Sequence, residues 1–101
     1  MKPSNLCTKF ACGATKGKAS NMFIDLNKIF SYGTILAQRD SMGYILLNTT
    51  KYSSSISRSQ SCLNDEIHRV YDQSQIIEVE NVPMLAKDLR YYCLMGEEEV
   101  E

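Results

Sequence analysis

The stretch RDSMGYILLNTTKYSSSIS, residues 39–57, decides the fold because the spacing of its apolar residues changes along it. Its first part, RDSMG, is rich in turn residues, and glycine adopts a positive φ at little cost, which predicts a hairpin that returns as a strand over residues 44–48. Further along, apolar residues recur at the spacing of one helix face, at Ile56, Leu63, Ile67 and Val70. A sheet followed by a helix indicates an α+β domain.

The serine cluster of this stretch lies where the predicted strand ends and the predicted helix begins. Serine competes for backbone hydrogen bonds, so it suits the cap of a helix better than its interior. The hydroxyl of Ser53, Ser54 or Ser55 can accept a hydrogen bond from a free backbone N–H of the first turn. We therefore expect the helix to begin at this cluster.

The segment before the hairpin has the two-residue alternation of strands. In NMFIDLNKIF, residues 21–30, one side carries Phe23 and Asp25 while the other side is apolar. SYGTILAQRD, residues 31–40, is rich in residues that favour strands, and a bulge is expected at Gly33. These two segments and the hairpin predict the greater part of an antiparallel sheet.

The last third of the chain predicts one more strand and one more helix. QIIEVE, residues 75–80, alternates in part and is expected to be a strand. In NVPMLAKDLRYYCLMG, Asn81 suits an N-cap, Pro83 suits the first turn and Gly96 suits the end of a helix. The predicted fold is a small antiparallel sheet of three to four strands packed by two helices.

Charge divides the chain into three parts. Residues 1–20 contain lysines and no acid, together with two glycines that disfavour a helix, and predict a flexible basic arm, with a short strand over residues 6–11 as the alternative. Residues 21–96 are expected to form the single α+β domain, and EEEVE at 97–101 an acidic tail. The net charge of −1 is unlike that of a typical duplex-DNA binder.

Cysteine spacing and hydropathy bear on metals and on the compartment. A structural zinc site usually needs two close ligand pairs, whereas Cys7 and Cys12 are the only close pair and His68 is the only histidine, so no metal is expected. No apolar run approaches the roughly 18 residues of a membrane span, and no secretory signal is expected at the N-terminus. The predicted compartment is therefore a reducing one, the cytoplasm.

Two motifs flank the predicted hairpin. The first strand motif contains Ser31, Tyr32, Gly33, Thr34 and Ala37. The second motif, at the helix start, contains Tyr52, Ser53 and Ser57. On these residues the region 29–68 resembles a family of small uncharacterised phage and plasmid domains whose pattern is an SYxTxxA strand and a YSxTTSxHxN helix start. Ser55 and Ile56 replace the threonines of that pattern, and Ser59 or Gln60 replaces its histidine. The resemblance implies a fold and a mobile-element setting, and no activity.

The first functional hypothesis is a non-enzymatic interaction protein of a phage or other mobile element, without a cofactor. It would bind and occlude a host protein or ribonucleoprotein complex, as an inhibitor of a defence complex in the manner of an anti-CRISPR protein. Acidic side chains can engage basic nucleic-acid grooves through charge complementarity. The expected partner-binding residues are Asp65, Glu66, Glu78, Glu80 and Tyr91. Monomer and homodimer both stay open.

The alternative hypothesis is a small nucleic-acid-binding accessory protein. The free N–H groups at a helix start can hold a phosphate, and a basic side chain nearby strengthens the site. The expected anion-binding residues are Lys51, Ser53, Ser54, Ser55 and Arg58. The arm lysines Lys16 and Lys18 would add charge, and tyrosines would stack on bases. Ordinary helix capping explains the serines equally well.

Overall fold

The computed structural model describes residues 2–93, except for the side chains of Pro3, Tyr91 and Cys93. The elements are α1 (Pro3–Ala11), β1 (Lys16–Ala19), β2 (Met22–Asp25), β3 (Lys28–Ser31), β4 (Thr34–Arg39), β5 (Ile45–Asn48), α2 (Ser54–Val70), a 3-10 turn (Gln73–Gln75), β6 (Ile76–Val79) and the short helix α3 (Arg90–Cys93). The protein is an α+β domain, as the sequence predicts.

The sheet has six strands in the order β1-β2-β3-β4-β5-β6. The first five pair antiparallel, whereas β6 pairs parallel to β5 because α2 carries the chain back across the sheet. The expected sheet of three to four antiparallel strands is therefore too small and lacks the parallel pair. The sequence reading missed the tight turns after β1 and β2, in which Ser20 and Leu26 adopt positive φ values of 54° and 59° where glycine or asparagine is usual.

A one-residue bulge in β4 changes the alternation of its side chains. Ile29 pairs with Ala37 and Phe30 pairs with Ile35, which leaves Leu36 as the extra residue. Leu36 and Ala37 both belong to the hydrophobic cluster beneath the helices. The bulge expected at Gly33 therefore lies three residues further on. Gly33 instead forms the tight turn between β3 and β4, where its φ is 78°.

The N-terminal segment belongs to the fold and is not a flexible arm. Leu6, Cys7 and Phe10 of α1 have no exposed surface and pack in one cluster with residues of β1, β2 and α2. Arg39 ties the end of α1 to the sheet by donating to the carbonyl oxygens of Phe10 at 2.7 Å and Ala14 at 2.8 Å. The sequence reading missed this helix because it has no side-chain N-cap and its apolar face is only a few residues long.

The long helix begins where the serine cluster predicts. Ser53 is the N-cap of α2, and its hydroxyl accepts from the Ile56 backbone N–H at 3.4 Å. Ile56, Leu63 and Ile67 are buried against the sheet, as their spacing predicts. Val70, the last member of the predicted apolar stripe, is 49% exposed and lies off the core.

Most of the second predicted helix is absent. Asn81 has a φ of 59° and so is not a helix N-cap, and only Arg90–Cys93 is helical. Residues 82–89 cross the sheet face opposite α1 and α2, and Val82 and Leu89 are buried there. At the start of this segment, the Val82 backbone N–H donates to the Thr50 hydroxyl oxygen at 2.9 Å. Gly96 and the expected tail at 97–101 lie outside the described residues.

Replacing Gly17 tests the packing of α1 on the sheet. A Cβ at Gly17 would lie 2.7 Å from the Leu6 Cδ1 atom, and Leu6 is fully buried, so its side chain has little room to move. We expect Gly17→Ala to lower the free energy of unfolding by about 1–3 kcal/mol in urea denaturation. Asn5→Ala, on the exposed side of α1, is the control and should leave stability nearly unchanged. A Gly17→Ala variant as stable as the wild type would contradict this packing.

Asp88, whose carboxylate accepts a hydrogen bond from the Gln38 side chain of β4 at 3.1 Å, predicts a pH dependence of stability. Hydrogen bonds from the Arg90 guanidinium lower the pKa of Asp88 from 3.8 to about 2. Since the folded pKa lies below the usual value, the carboxylate stabilises the fold above about pH 4, and this contribution is lost as the pH falls towards 2. The melting temperature should fall less steeply over this window in Asp88→Asn than in the wild type. Equal slopes would show that Asp88 does not contribute.

Candidate functional site

The two faces of the sheet are covered unequally. Helices α1 and α2 pack on one face, and the cluster beneath them includes Ala19, Ile24 and Ile29 of β1–β3. On the other face, residues 82–92 pack against Phe30 and the strands that follow it. We call the part beyond that covering segment the open sheet face. It consists of Lys16, Lys18, Phe23, Asp25 and Lys28.

Strand register arranges the open sheet face in two rows. In one row Lys18 pairs with Phe23, and Phe23 pairs with Phe30. In the neighbouring row Lys16 pairs with Asp25, and Asp25 pairs with Lys28. Side chains directly opposite each other on neighbouring strands have Cβ atoms only about 5 Å apart. The face therefore places an aromatic ring and several ammonium groups within one small area.

Phe23 is an exposed aromatic ring in a fixed orientation. Its ring lies parallel to that of Phe30, with a centroid separation of 4.9 Å and an interplanar angle of 10°. Phe30 is 5% exposed, whereas Phe23 is 38% exposed. The Lys87 ammonium group lies 5.8 Å from the centre of the Phe30 ring and borders the open sheet face on the side of the covering segment.

The charge of the open sheet face is positive. Lys16 and Lys18 are exposed, Lys28 is half-buried, and Asp25 is the single acid among them. Within residues 2–93 the ion pairs closer than 4.0 Å are those of Arg69 with Glu66 and of Arg90 with Asp88, and neither involves a lysine of this face. An anionic partner is therefore the natural complement.

The expected anion site at the start of α2 is divided in the structure. Ser53 caps the helix. Ser55 and Arg58 line a cavity of about 300 Å³ between α2 and the sheet, beside the 2.9 Å contact between the Ser31 and Ser59 hydroxyl oxygens. Lys51 lines other cavities, on the side of Thr49 and Thr50, and Ser54 is exposed. The structure does not bring Lys51 and Arg58 to one site.

The expected acidic surface is spread over two elements. Asp65 is exposed on α2, and Glu66 accepts a hydrogen bond from Arg69 at 3.4 Å. Glu78 is exposed on β6, which is an edge strand, and Glu80 is exposed directly after it. The side chain of Tyr91 lies outside the described part of the chain.

The sites that the sequence offers for chemistry or a metal have ordinary structural surroundings. His68 is exposed, and its Nδ1 atom lies 2.9 Å from the Asn64 backbone oxygen. Burial raises the pKa of the Cys7 thiol, and the nearby Cys62 raises it further. Residues 2–93 contain no group of three or more metal-ligating side chains. No helix within residues 2–93 is long and apolar enough to cross a bilayer.

Comparison with protein-family models, with curated proteins and with solved structures gives no match for this chain. Function must therefore be inferred from the surface itself. The sequence reading named Lys16 and Lys18 but missed Phe23, Lys28 and Lys87 as site residues. The available signal was Phe23, a large aromatic residue on the otherwise polar side of its strand.

Proposed function

We propose that this protein is a small, non-enzymatic nucleic-acid-binding protein that contacts its ligand with the open sheet face. The observation that carries the proposal is the arrangement of Lys16, Lys18 and Lys28 around the exposed Phe23 ring. Lysines bind the sugar-phosphate backbone mainly by charge, with release of counterions, and aromatic rings bind bases. The same surface has both.

The charge of the described residues supports the same partner. Residues 2–93 contain all eleven basic residues of the chain and eight of its twelve acidic residues. With eleven basic and eight acidic residues, residues 2–93 have a net charge of +3, whereas the whole chain has −1. The resemblance to phage and plasmid domains supports a bacterial cytoplasmic setting, in which nucleic acid is an abundant partner.

The proposal moves the binding site away from the helix start. Two pairs of basic residues test the two locations against each other: Lys16 with Lys18 on the open sheet face, and Lys51 with Arg58 near the start of α2. Replacing either pair by alanine removes the same total charge, so a difference between the two double variants reports position and not net charge.

Binding should depend steeply on salt and on the first pair. With three phosphate contacts, affinity for a labelled oligonucleotide should fall by about twenty- to fortyfold between 50 and 200 mM salt, measured by fluorescence anisotropy. Lys16→Ala with Lys18→Ala should weaken binding and reduce the salt slope by about 1.4–1.8. Lys51→Ala with Arg58→Ala should leave the slope close to that of the wild type.

Two results would count against this proposal. The first is the absence of binding to both single-stranded and duplex probes at low salt, which would remove nucleic acid as the partner. The second is an equal loss in the two double variants, because a site-specific contact must distinguish them. A loss confined to Lys51→Ala with Arg58→Ala would return the site to the start of α2.

A second candidate is the interaction protein that occludes a host defence complex. It is supported by the exposed acids Glu78 and Glu80 at the edge of the sheet, together with Asp65 on α2. Such side chains can imitate phosphates in a basic groove. This candidate also rests on the mobile-element setting that the resemblance implies.

A pull-down from bacterial lysate, with and without nuclease, tests this candidate. It predicts a protein or ribonucleoprotein subunit that survives nuclease treatment and is lost with Glu78→Gln and Glu80→Gln. The matched control is Asp40→Asn with Asp72→Asn, which removes the same charge from the turns that precede β5 and β6. Equal recovery by both double variants would exclude the acidic edge as the binding surface.

A further inference from the structure

We infer that the open sheet face binds single-stranded nucleic acid, with a base stacked on the Phe23 ring. This inference rests on the proposed function and names its ligand class. It depends on three features of the described residues: the stack of two phenylalanine rings, the positions of the lysines around it, and the single carboxylate within the face.

The stack leaves Phe23 prepared to bind a second flat ring. A phenyl ring has two faces, and Phe23 packs one of them on the nearly buried Phe30, with the rings parallel within 10°. The exposed surface of Phe23 then belongs to the rest of the ring, which already has a fixed orientation. Stacking a ligand on this ring costs little ordering entropy of the Phe23 side chain, which favours binding by pre-organisation.

An unpaired base offers its ring face to such a platform. Within a duplex the base faces are covered by neighbouring bases except at the two ends, and proteins read the edges and the backbone. Single-stranded sites combine a positively charged surface with exposed aromatic rings. The open sheet face has this combination, and no helix start or loop is needed to complete it.

The lysines lie on two sides of the ring. Lys18 is directly opposite Phe23 on β1, and Lys28 lies on β3 in the neighbouring row. Lys87 lies near the Phe30 ring, on the side of the covering segment. A strand whose base stacks on Phe23 therefore has ammonium groups available to its phosphates in both directions.

Asp25 has a different relation to the ligand. It lies between Lys16 and Lys28 in the register and would repel a phosphate placed directly over it. A carboxylate can instead accept a hydrogen bond from an exocyclic amino group such as N4 of cytosine. The face therefore favours a base edge at Asp25 and phosphates at the lysines. Three strands about 4.8 Å apart give room for only a few nucleotides.

The experiment uses the full chain and three labelled probes of one mixed sequence, about a dozen nucleotides long: single-stranded DNA, single-stranded RNA and duplex DNA. We expect at least one single-stranded probe to bind about tenfold or more tighter than the duplex. Phe23→Leu should weaken single-strand binding about fivefold or more with an unchanged salt slope. Phe23→Tyr keeps the ring and should bind nearly as the wild type does.

Phe23→Trp supplies a direct reading of the contact. The chain contains no tryptophan, so an indole at position 23 is the only one in the protein. Stacking on a base should quench its emission in proportion to the bound fraction, and added salt should restore it. Melting temperatures of the variants show that each is folded.

The outcomes separate this inference from the proposed function. If Phe23→Leu binds as the wild type does while Lys16→Ala with Lys18→Ala loses binding, nucleic-acid binding stands and base stacking is wrong. If the duplex binds as tightly as the tighter of the two single strands, the ligand class is wrong. If none of the probes binds at low salt, both proposals fail. Quenching together with a loss in Phe23→Leu supports both.

Discussion

The bulge at Leu36 sets which covering element each side chain of β4 contacts. Because Leu36 and Ala37 both face the helices, Gln38 faces the covering segment and Arg39 faces α1. If the same sequence continued after Ile35 in strict alternation, with no bulge, Gln38 would face the helices and Arg39 would face the covering segment. Arg39 could then no longer bond the end of α1, and Gln38 could no longer bond residues 88–89.

Gln38 holds the covering segment to the sheet, and Arg39 holds α1 to it. Gln38 is 1% exposed, donates to the Asp88 carboxylate at 3.1 Å and accepts from the Leu89 N–H at 2.8 Å. Arg39 reaches the carbonyl oxygens at the end of α1 and lies over the Phe10 ring, 4.4 Å from its centre. Buried polar groups that are fully bonded in this way favour one arrangement over its alternatives.

The extent of the covering segment determines which part of the sheet is exposed. Two helices cover one face, and residues 82–92 cover the other face as far as Phe30. The strands β1 and β2 lie beyond that limit, which leaves Phe23 on the surface. The candidate site is thus a consequence of how far one non-helical segment extends across the sheet, and the lysines on β1 and β3 give it its charge.

Local patterns predicted the parts of the fold that local chemistry controls. The turn before β5, the Ser53 cap and the buried stripe of α2 follow from residues close together in the chain. α1 and residues 82–89 could not be predicted in the same way, because their backbone and side-chain partners come from β4 and from the β5–α2 connection. For the same reason Lys16 and Lys18 looked like arm residues, and the stack of Phe23 on Phe30 needed the register of β2 with β3.

At the helix start, closeness in sequence differs from closeness in the structure. Lys51 and Arg58 are seven positions apart, but one precedes the helix and the other lies along it, so they line different cavities. Conversely, Lys16 and Lys28 are far apart in sequence and are brought to one face by two tight turns. Strand register, more than spacing in sequence, therefore decides which residues lie together on the open sheet face.

The most direct measurement is a titration of isotope-labelled protein with a single-stranded oligonucleotide, followed by amide and aromatic NMR signals. The account predicts shifts concentrated at residues 16–18, 23–25 and 28, with the Phe23 ring signals moving as stacking changes their shielding. Shifts confined to residues 51–58, or to Glu78 and Glu80, would contradict it.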